Sequence, residues 1–359
     1  MKLLDQKEMI ENIDRKNMFK SIAEFSAQLK HAEEIGKAVS LDPNYAKGIT
    51  KIVFSGLGGS AIGADFIRSY LTYDLSIPIL VNRHYQLPKY VDDKTLLIVS
   101  SYSGETEETL SAFKQGICSG AKIMAITSGG ELARQARAHS FPVITIPGGM
   151  SPRAALGYSV LPLLVVLSKL GFKEAYRVQE FKEAQDLMQK LSSFTYGQSI
   201  PFEKNQAKQL AFNCFNHYPI IYSGPDYLDV VALRWRGQIE ENSKALASHH
   251  IFPEMNHNEL VGWKNPPELL KKVVVFILRD SSDHKRVQMR MDLTRKVIEQ
   301  HAHSVTELAT QGKELLARMF SLVYLGDWIS VYLAVLYQVD PTPVEVINYL
   351  KSELAKEPM

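Results

Sequence analysis

Lys51-Ile-Val-Phe-Ser-Gly56-Leu-Gly-Gly-Ser60-Ala-Ile-Gly63 is the stretch that decides the fold. A short apolar run ends in a glycine-rich turn, and an amphipathic pattern continues to Leu71. Strand, glycine turn and helix in that order open a βαβ unit. Glycines let the backbone turn tightly and come close to a ligand. The helix that follows offers free N–H groups and the positive end of its dipole to an anion. Further strand signals lie at Ile79–Val81, Leu96–Ser100, Lys122–Ile126 and Val143–Ile146, with helical patterns between most of them. Short buried apolar strands alternating with helices predict a parallel sheet covered on both faces.

Outward from this unit, residues 1 to about 48 read as helical, because Met9, Ile10, Ile13, Met18, Phe19, Ile22 and Phe25 recur at threes and fours. From Arg153 to about Phe215 the pattern is helical again, and the domain change is expected within roughly 165–200. Then the opening theme returns. Pro219-Ile-Ile-Tyr-Ser-Gly224 resembles Lys51-Ile-Val-Phe-Ser-Gly56, but Pro225-Asp-Tyr-Leu replaces Leu57-Gly-Gly-Ser. Later strand signals are Val273–Ile277 and Ser304–Leu308, with helical patterns over 284–299, 312–337 and 342–355. Two similar α/β halves, one with a glycine loop, suggest a duplication in which one half kept the ligand contact.

Bulk properties narrow the function classes. At 359 residues, two domains are favoured. Hydrophobic residues make up 45% and charged residues 22%, as in an ordinary globular chain. A net charge of +2 is too balanced for a nucleic-acid binder working by bulk electrostatics. No run of about 18 apolar residues stands out, so no membrane span is expected. The acids in MKLLDQKEMIENIDRK argue against a signal peptide. Cys118 and Cys214 are far apart and form no CxxC, which excludes a disulfide scaffold and a thiolate zinc site and suits a reducing cytoplasm.

The glycine turn is close to the dinucleotide fingerprint, with Ala61 at the third glycine's place, and lacks the Gly-Lys-Ser/Thr of a P-loop. The acid expected about 20 residues on to hold a ribose is absent, and the second strand ends in Val81-Asn82-Arg83-His84, where Arg83 could meet an NADP phosphate. A second turn, Ser100-Ser-Tyr-Ser-Gly-Glu-Thr106, follows a later strand with Ser101, Ser103 and Thr106 as uncharged donors. Ser103 or Thr106 could simply cap the next helix. Paired with the first turn, the set favours a small phosphate monoester.

Gly58-Gly-Ser-Ala-Ile-Gly63 and Ser101-Tyr-Ser-Gly-Glu-Thr106 resemble the phosphosugar-binding turns of sugar isomerase (SIS) domains. The resemblance implies two flavodoxin-like αβα sandwich domains with parallel sheets and flanking helices, over 1–170 and 171–359. It makes Gly59, Ser60, Ser101, Ser103 and Thr106 the phosphate ligands. Three other stretches carry chemistry: Ser151-Pro-Arg153-Ala-Ala-Leu-Gly-Tyr158, Arg234-Trp-Arg-Gly-Gln-Ile-Glu-Glu241-Asn-Ser-Lys244, and Pro253-Glu-Met-Asn-His257-Asn-Glu259. Arg153, between a turn and a helix start, can reach a ligand above the sheet. Trp235, Gln238 and Asn242 share a helix face, with Glu241 three after Gln238. His257 lies between two asparagines, outside any apolar periodicity. His257 with Glu259 does not fit H-E-x-x-H, and the adjacent His249-His250 lack ligand spacing, so no metal is expected.

Together these stretches, with Lys351 on a C-terminal helix, resemble the bifunctional phosphoglucose/phosphomannose isomerase family within the SIS superfamily. That resemblance implies an aldose–ketose isomerase acting on glucose 6-phosphate and mannose 6-phosphate through a cis-enediol, without cofactor or metal. It casts Glu241 as the base, with Glu240 as its rival, and Arg153 as the stabiliser of the enediolate. His257 and Lys351 then serve ring opening. Relatives use a Thr near the C-terminal helix to admit both substrates; Thr342 is the only Thr of that segment and is left unassigned. The resemblance further implies a cytoplasmic homodimer with shared active sites, with either chain able to supply His257. Three rivals stay open: a sugar-phosphate sensor, an SIS enzyme for another phosphosugar, and an oxidoreductase holding NAD(P) on the glycine turn.

Overall fold

Lys51–Ser55 forms β1, buried from Ile52 to Ser55 because covering helices lie on both faces of its sheet. The other strands of that sheet are β2 (Ile79–Asn82), β3 (Thr95–Ser100), β4 (Lys122–Thr127) and β5 (Val143–Thr145). All pair in parallel in the order β2-β1-β3-β4-β5. This is the flavodoxin-like order, whose switch point falls between β1 and β3. A second parallel sheet, β6 (Tyr218–Ser223), β7 (Ser248–Ile251), β8 (Val273–Arg279) and β9 (Ser304–Ala309), runs β7-β6-β8-β9. It repeats the first order without the last strand. The chain is described here from a computed structural model covering residues 2–356.

The helices, in chain order, are α1 (Lys7–Ile13), α2 (Met18–Ala23), α3 (Phe25–Ala38), α4 (Gly58–Tyr70), α5 (Glu107–Ser119), α6 (Gly130–Ala138), α7 (Leu156–Lys169), α8 (Val178–Leu191), α9 (Gln206–Cys214), α10 (Asp229–Ser243), α11 (Glu259–Gly262), α12 (Pro267–Leu270), α13 (Lys285–Ile298), α14 (Leu315–Leu336) and α15 (Glu345–Leu354). Each sheet thus opens with a strand that runs into a helix, β1 into α4 and β6 into α10.

One apolar core joins the sheets. It contains Ile52 and Phe54 of β1, Val274 and Phe276 of β8, and most of α14. By length and composition α14 would suffice to cross a membrane, but its apolar window is wholly buried here among other elements of the fold. Phe19 of α2 meets Trp328 and Tyr332 of α14 edge-on, with ring centroids 6.0 and 5.3 Å apart, and so ties the N-terminal helices to the centre.

Three local features depart from the sequence pattern. The N-terminal helical stretch ends at Ala38 rather than near 48, because Asp42-Pro43-Asn44 forms a turn in which Asp42 Oδ1 accepts from Asn44 N at 2.9 Å. The helical stretch before Phe215 includes one π-helical turn, Ser192–Tyr196. β7 was not foreseen: Ser248-His-His-Ile251 is half-buried throughout and shows no apolar alternation.

Candidate active site

The N-terminus of α4 stands at the end of β1 with no side chain capping it. Gly59 packs against the next functional segment: a Cβ there would lie 2.8 Å from the Pro152 carbonyl oxygen, so only glycine allows this approach. Ser60 follows, buried. Across the switch point, Ser101 is buried after β3, and its Oγ lies 2.8 Å from Thr106 Oγ1. Ser101 Oγ also accepts from Gly104 N at 3.1 Å, and Ser103 Oγ accepts from Glu105 N at 3.2 Å. Gly104 holds φ +77° with its Cα against the Gly129 carbonyl. Thr106 occupies the N-cap position of α5, yet its hydroxyl makes no cap bond and turns to Ser101 instead. The capping role considered for Thr106 is therefore not the one it plays, and the first turn of α5 keeps its N–H groups free of side-chain caps. Gly59, Ser60 and Tyr102 line one small cavity together with Pro152 and Ser159, which joins the two turns.

Pro152–Ala154 forms a short 3-10 turn that delivers Arg153 inward, 5% exposed. Gln28 of α3 clamps this turn, donating Nε2 to Ala154 O at 2.8 Å and accepting from Gly157 N at 2.7 Å. The guanidinium then reaches across to α10. Nε donates to Asn242 Oδ1 at 2.6 Å and Nη1 to Glu241 Oε2 at 3.1 Å. Nη2 donates to the carbonyls of Pro341 and Thr342, at 2.5 and 2.9 Å. Burial pulls the Arg153 pKa down from its usual high value while the Glu241 carboxylate pushes it up. Guanidinium stays charged under such a balance.

Glu241 is placed by the helix that carries it. α10 buries Trp235, Gln238 and Asn242 against α14: Trp235 Nε1 donates to Leu322 O at 2.7 Å, Gln238 Nε2 to Asp327 Oδ1 at 2.7 Å, and Asn242 Nδ2 to Ser330 Oγ at 2.9 Å. The polar face read from the sequence is thus a buried helix–helix seam. It leaves Glu241 at the edge of that seam, with its side chain 35% exposed. Glu240 points about 100° away and lies 3.7 Å from Arg236. Burial, with Glu241 beside it, raises the Glu240 pKa. Both carboxylates border a cleft of about 720 Å³ whose other walls include Lys244, Asp340 and the start of α15.

The remaining candidates make no hydrogen bond to this cluster among the described residues. His257 is exposed at the end of the turn Glu254–His257, and Lys351 sits on α15, none of whose residues is buried. Neither makes a side-chain hydrogen bond or ion pair among the described residues. Thr342, left unassigned in the sequence, sits at the cluster: its carbonyl accepts from Arg153, and its Oγ1 is buried without a partner. Three residues the sequence did not single out for this role support Arg153 from behind. Gln28 is one; Arg234 and Asp327 are the others. Arg234 Nη2 donates both to Arg153 O at 2.9 Å and to Asp327 Oδ2 at 2.9 Å. Their only sequence signal is polarity at positions whose neighbours are apolar, which does not identify a partner. Among the described residues no three His, Cys, Asp or Glu side chains gather as a metal-ligand set.

Chemically, the arrangement offers an uncapped, hydroxyl-rich anion cradle at one end. At the other it offers a carboxylate held beside a buried guanidinium at a cleft. Two flavodoxin-like sheets, only the first keeping such a cradle, define the class: a sugar isomerase (SIS) protein. Residues 203–354 match the model of the bacterial phospho-glucose isomerase C-terminal SIS domain. The chain is 48% identical over 342 residues to a bifunctional phosphoglucose/phosphomannose isomerase of Caldicellulosiruptor bescii, covering 94% of this chain and 99% of the relative. It is 40% identical to the protein of that name from Aquifex aeolicus, over 85% of this chain and 90% of that one. In fold it is similar to the C-terminal domain of glucosamine-fructose-6-phosphate aminotransferase from Francisella tularensis, with a TM-score of 0.69, 16% identity and coverage of 91% and 98%. The chain belongs to the bifunctional phosphoglucose/phosphomannose isomerase family.

Proposed function

We propose that this protein interconverts glucose 6-phosphate with fructose 6-phosphate, and mannose 6-phosphate with fructose 6-phosphate, by proton transfer through a cis-enediol. The observation that carries this reading is the Glu241–Arg153 contact of 3.1 Å at the cleft, on a turn whose Pro152 packs on Gly59. Isomerisation needs a base for the C2 or C1 proton and a positive donor for the developing enediolate oxygen. Glu241, a carboxylate held at the edge of the cleft, fits the first role. Arg153 fits the second, with one Nη1–H not used by its four bonds. Gly59, Ser60, Ser101, Ser103 and Thr106 hold the phosphate and orient the chain of carbons. His257 and Lys351 open the sugar ring.

Residues 1–170 and 171–359 serve as two SIS domains, the first for the phosphate and the second for the base. The protein works as a cytoplasmic homodimer with shared sites. Exposed Val346, Tyr349 and Leu350 on α15 support a partner chain, and so does His257, exposed and without a hydrogen bond to the Arg153–Glu241 cluster among the described residues. The test is metal-free conversion of each aldose phosphate to fructose 6-phosphate by wild type and Glu241→Gln. Turnover of both sugars is expected, with kcat falling by about 10³-fold or more in the variant. Tight sugar-phosphate binding without any turnover would instead make the protein a sensor. A wild-type rate retained by Glu241→Gln would shift the base to Glu240.

A further inference from the structure

Lys244 belongs to the stretch that carries Glu241 but has no part in the mechanism above. It is the C-cap of α10, in the left-handed region at φ +56°, ψ 30°. That conformation suits glycine or asparagine and is strained for a lysine. The cost is offset by what the side chain reaches. Nζ folds back under the helix end and donates to Glu241 O at 2.7 Å, with Asn242 O at 3.4 Å. It also donates across to Pro341 O at 3.1 Å. Arg153 Nη2 donates to the same Pro341 oxygen. Two cations from different elements therefore converge on one carbonyl, in the connection that leads from α14 to α15. Lys244 also borders the cleft that Glu241 borders.

We propose that Lys244 is a positioning residue for the isomerisation: by tying Glu241's main chain and the Pro341 carbonyl together beside Arg153, it fixes the base and the guanidinium in register at the cleft. The inference rests on the reading of Glu241 as the base. Without the ammonium, the Pro341 carbonyl keeps its bond from Arg153 Nη2 but loses its tie to the Glu241 main chain, so the carboxylate and the guanidinium are held in register less tightly. The substrate phosphate, bound at the turns after β1 and β3, does not depend on this tie, so the loss falls on kcat more than on KM.

The groups facing Lys244 are Arg153 on the 3-10 turn, Glu241 on its own helix, Asp340 on the connection and Glu345 on α15. Burial and Arg153 lower its pKa to about 8, against the pull of the three acids. The amine therefore loses its charge at the alkaline edge of the working range, and activity should decline there.

The experiment compares wild type, Lys244→Gln and Lys244→Arg in metal-free turnover of glucose 6-phosphate between pH 6.5 and 10. Lys244→Gln is expected to lower kcat about tenfold, with KM changed less than about threefold. Lys244→Arg should restore most of the rate and carry the alkaline decline to higher pH, because guanidinium does not titrate there. Equal kcat and equal pH profiles in all three proteins would overturn the proposal while leaving the isomerase reading intact. A wild type that turns over no sugar phosphate would remove the isomerase reading itself. If Lys244→Gln fails to fold, as judged by circular dichroism, the decision passes to Lys244→Arg: an unmoved alkaline limb overturns the proposal, and a shifted one supports it.

Discussion

A carboxylate pressed against a glycine Cα has little water left to it. Asp283 holds that position in the second half: a Cβ on Gly224 would lie 2.5 Å from its Oδ1. Gly224 follows β6 as Gly56 follows β1, so the place corresponding to the first half's glycine turn is filled by the chain's own acid. Burial raises the Asp283 pKa to about 6, helped by Asp280 and Asp226 and opposed by the Asp280 N–H it accepts from. The sign follows from the reference value of 3.8. Below it, both folded and unfolded chains are protonated and the site costs nothing. Above about 6 the folded state holds an ionised, poorly solvated group, so stability is lost as pH rises through this window. Asp280 works in the opposite sense. Burial raises its pKa, but hydrogen bonds from Ser282, Thr310 and Arg318 outweigh that and lower it. Asp283→Asn keeps an acceptor for Asp280 N and removes the charge. It is expected to stabilise the protein by ~1–2 kcal/mol at pH 8, the gain fading towards pH 4 in urea unfolding. A constant difference across that range would show that the shape of the side chain, not its charge, matters.

The seam between α10 and α14 is the element on which the site depends. Arg234 and Asp327 form a buried pair there, joined by Nη2–Oδ2 at 2.9 Å and Nε–Oδ1 at 3.1 Å. The same Arg234 Nη2 holds the Arg153 carbonyl. Removing one member of a buried pair leaves the other charged and unpartnered, at a cost of about 3–5 kcal/mol. Asp327→Ala is expected to lower the urea midpoint accordingly, and also to lower kcat because the Arg153 backbone loses its hold. An unchanged midpoint would mean that water or a neighbour replaces the carboxylate. This seam also marks where sequence reading stopped. The spacing of Trp235, Gln238 and Asn242 showed that one face of α10 is special, and the period of 3.6 sufficed for that. It could not show that the face meets α14, because a polar partner 80 or more residues away leaves no local signal. The two turns proposed to hold the phosphate were legible for the opposite reason: each is a strand, a turn and a helix start in one contiguous stretch. β7 was illegible because half-buried Ser248-His-His-Ile251 has neither alternation nor a continuous apolar run.

At the scale of the molecule, Lys51–Gly56 and Pro219–Gly224 suggest a duplication, and the two sheets share one strand order, the second without the last strand. What six residues could not convey is the division of labour. The first sheet presents uncapped, hydroxyl-rich turns at its switch point, and the second carries the helix that brings Glu241 to Arg153. His257 makes no hydrogen bond to that cluster within one chain, and α15, whose start lines the Glu241 cleft, exposes Tyr349 and Leu350 further along. In the proposed dimer with shared sites, each site takes residues from two chains. The consequence can be tested by mixing two inactive proteins, Glu241→Gln and His257→Ala, after joint unfolding and refolding. If each site takes its base from one chain and its histidine from the other, a heterodimer has one intact site and one doubly damaged site. Random reassortment makes about half of the dimers mixed, so about a quarter of the wild-type activity returns. If base and histidine belong to the same chain, every site in the mixture stays damaged and no activity returns. Size-exclusion chromatography with light scattering on each protein, before and after mixing, separates that outcome from a failure to reassociate.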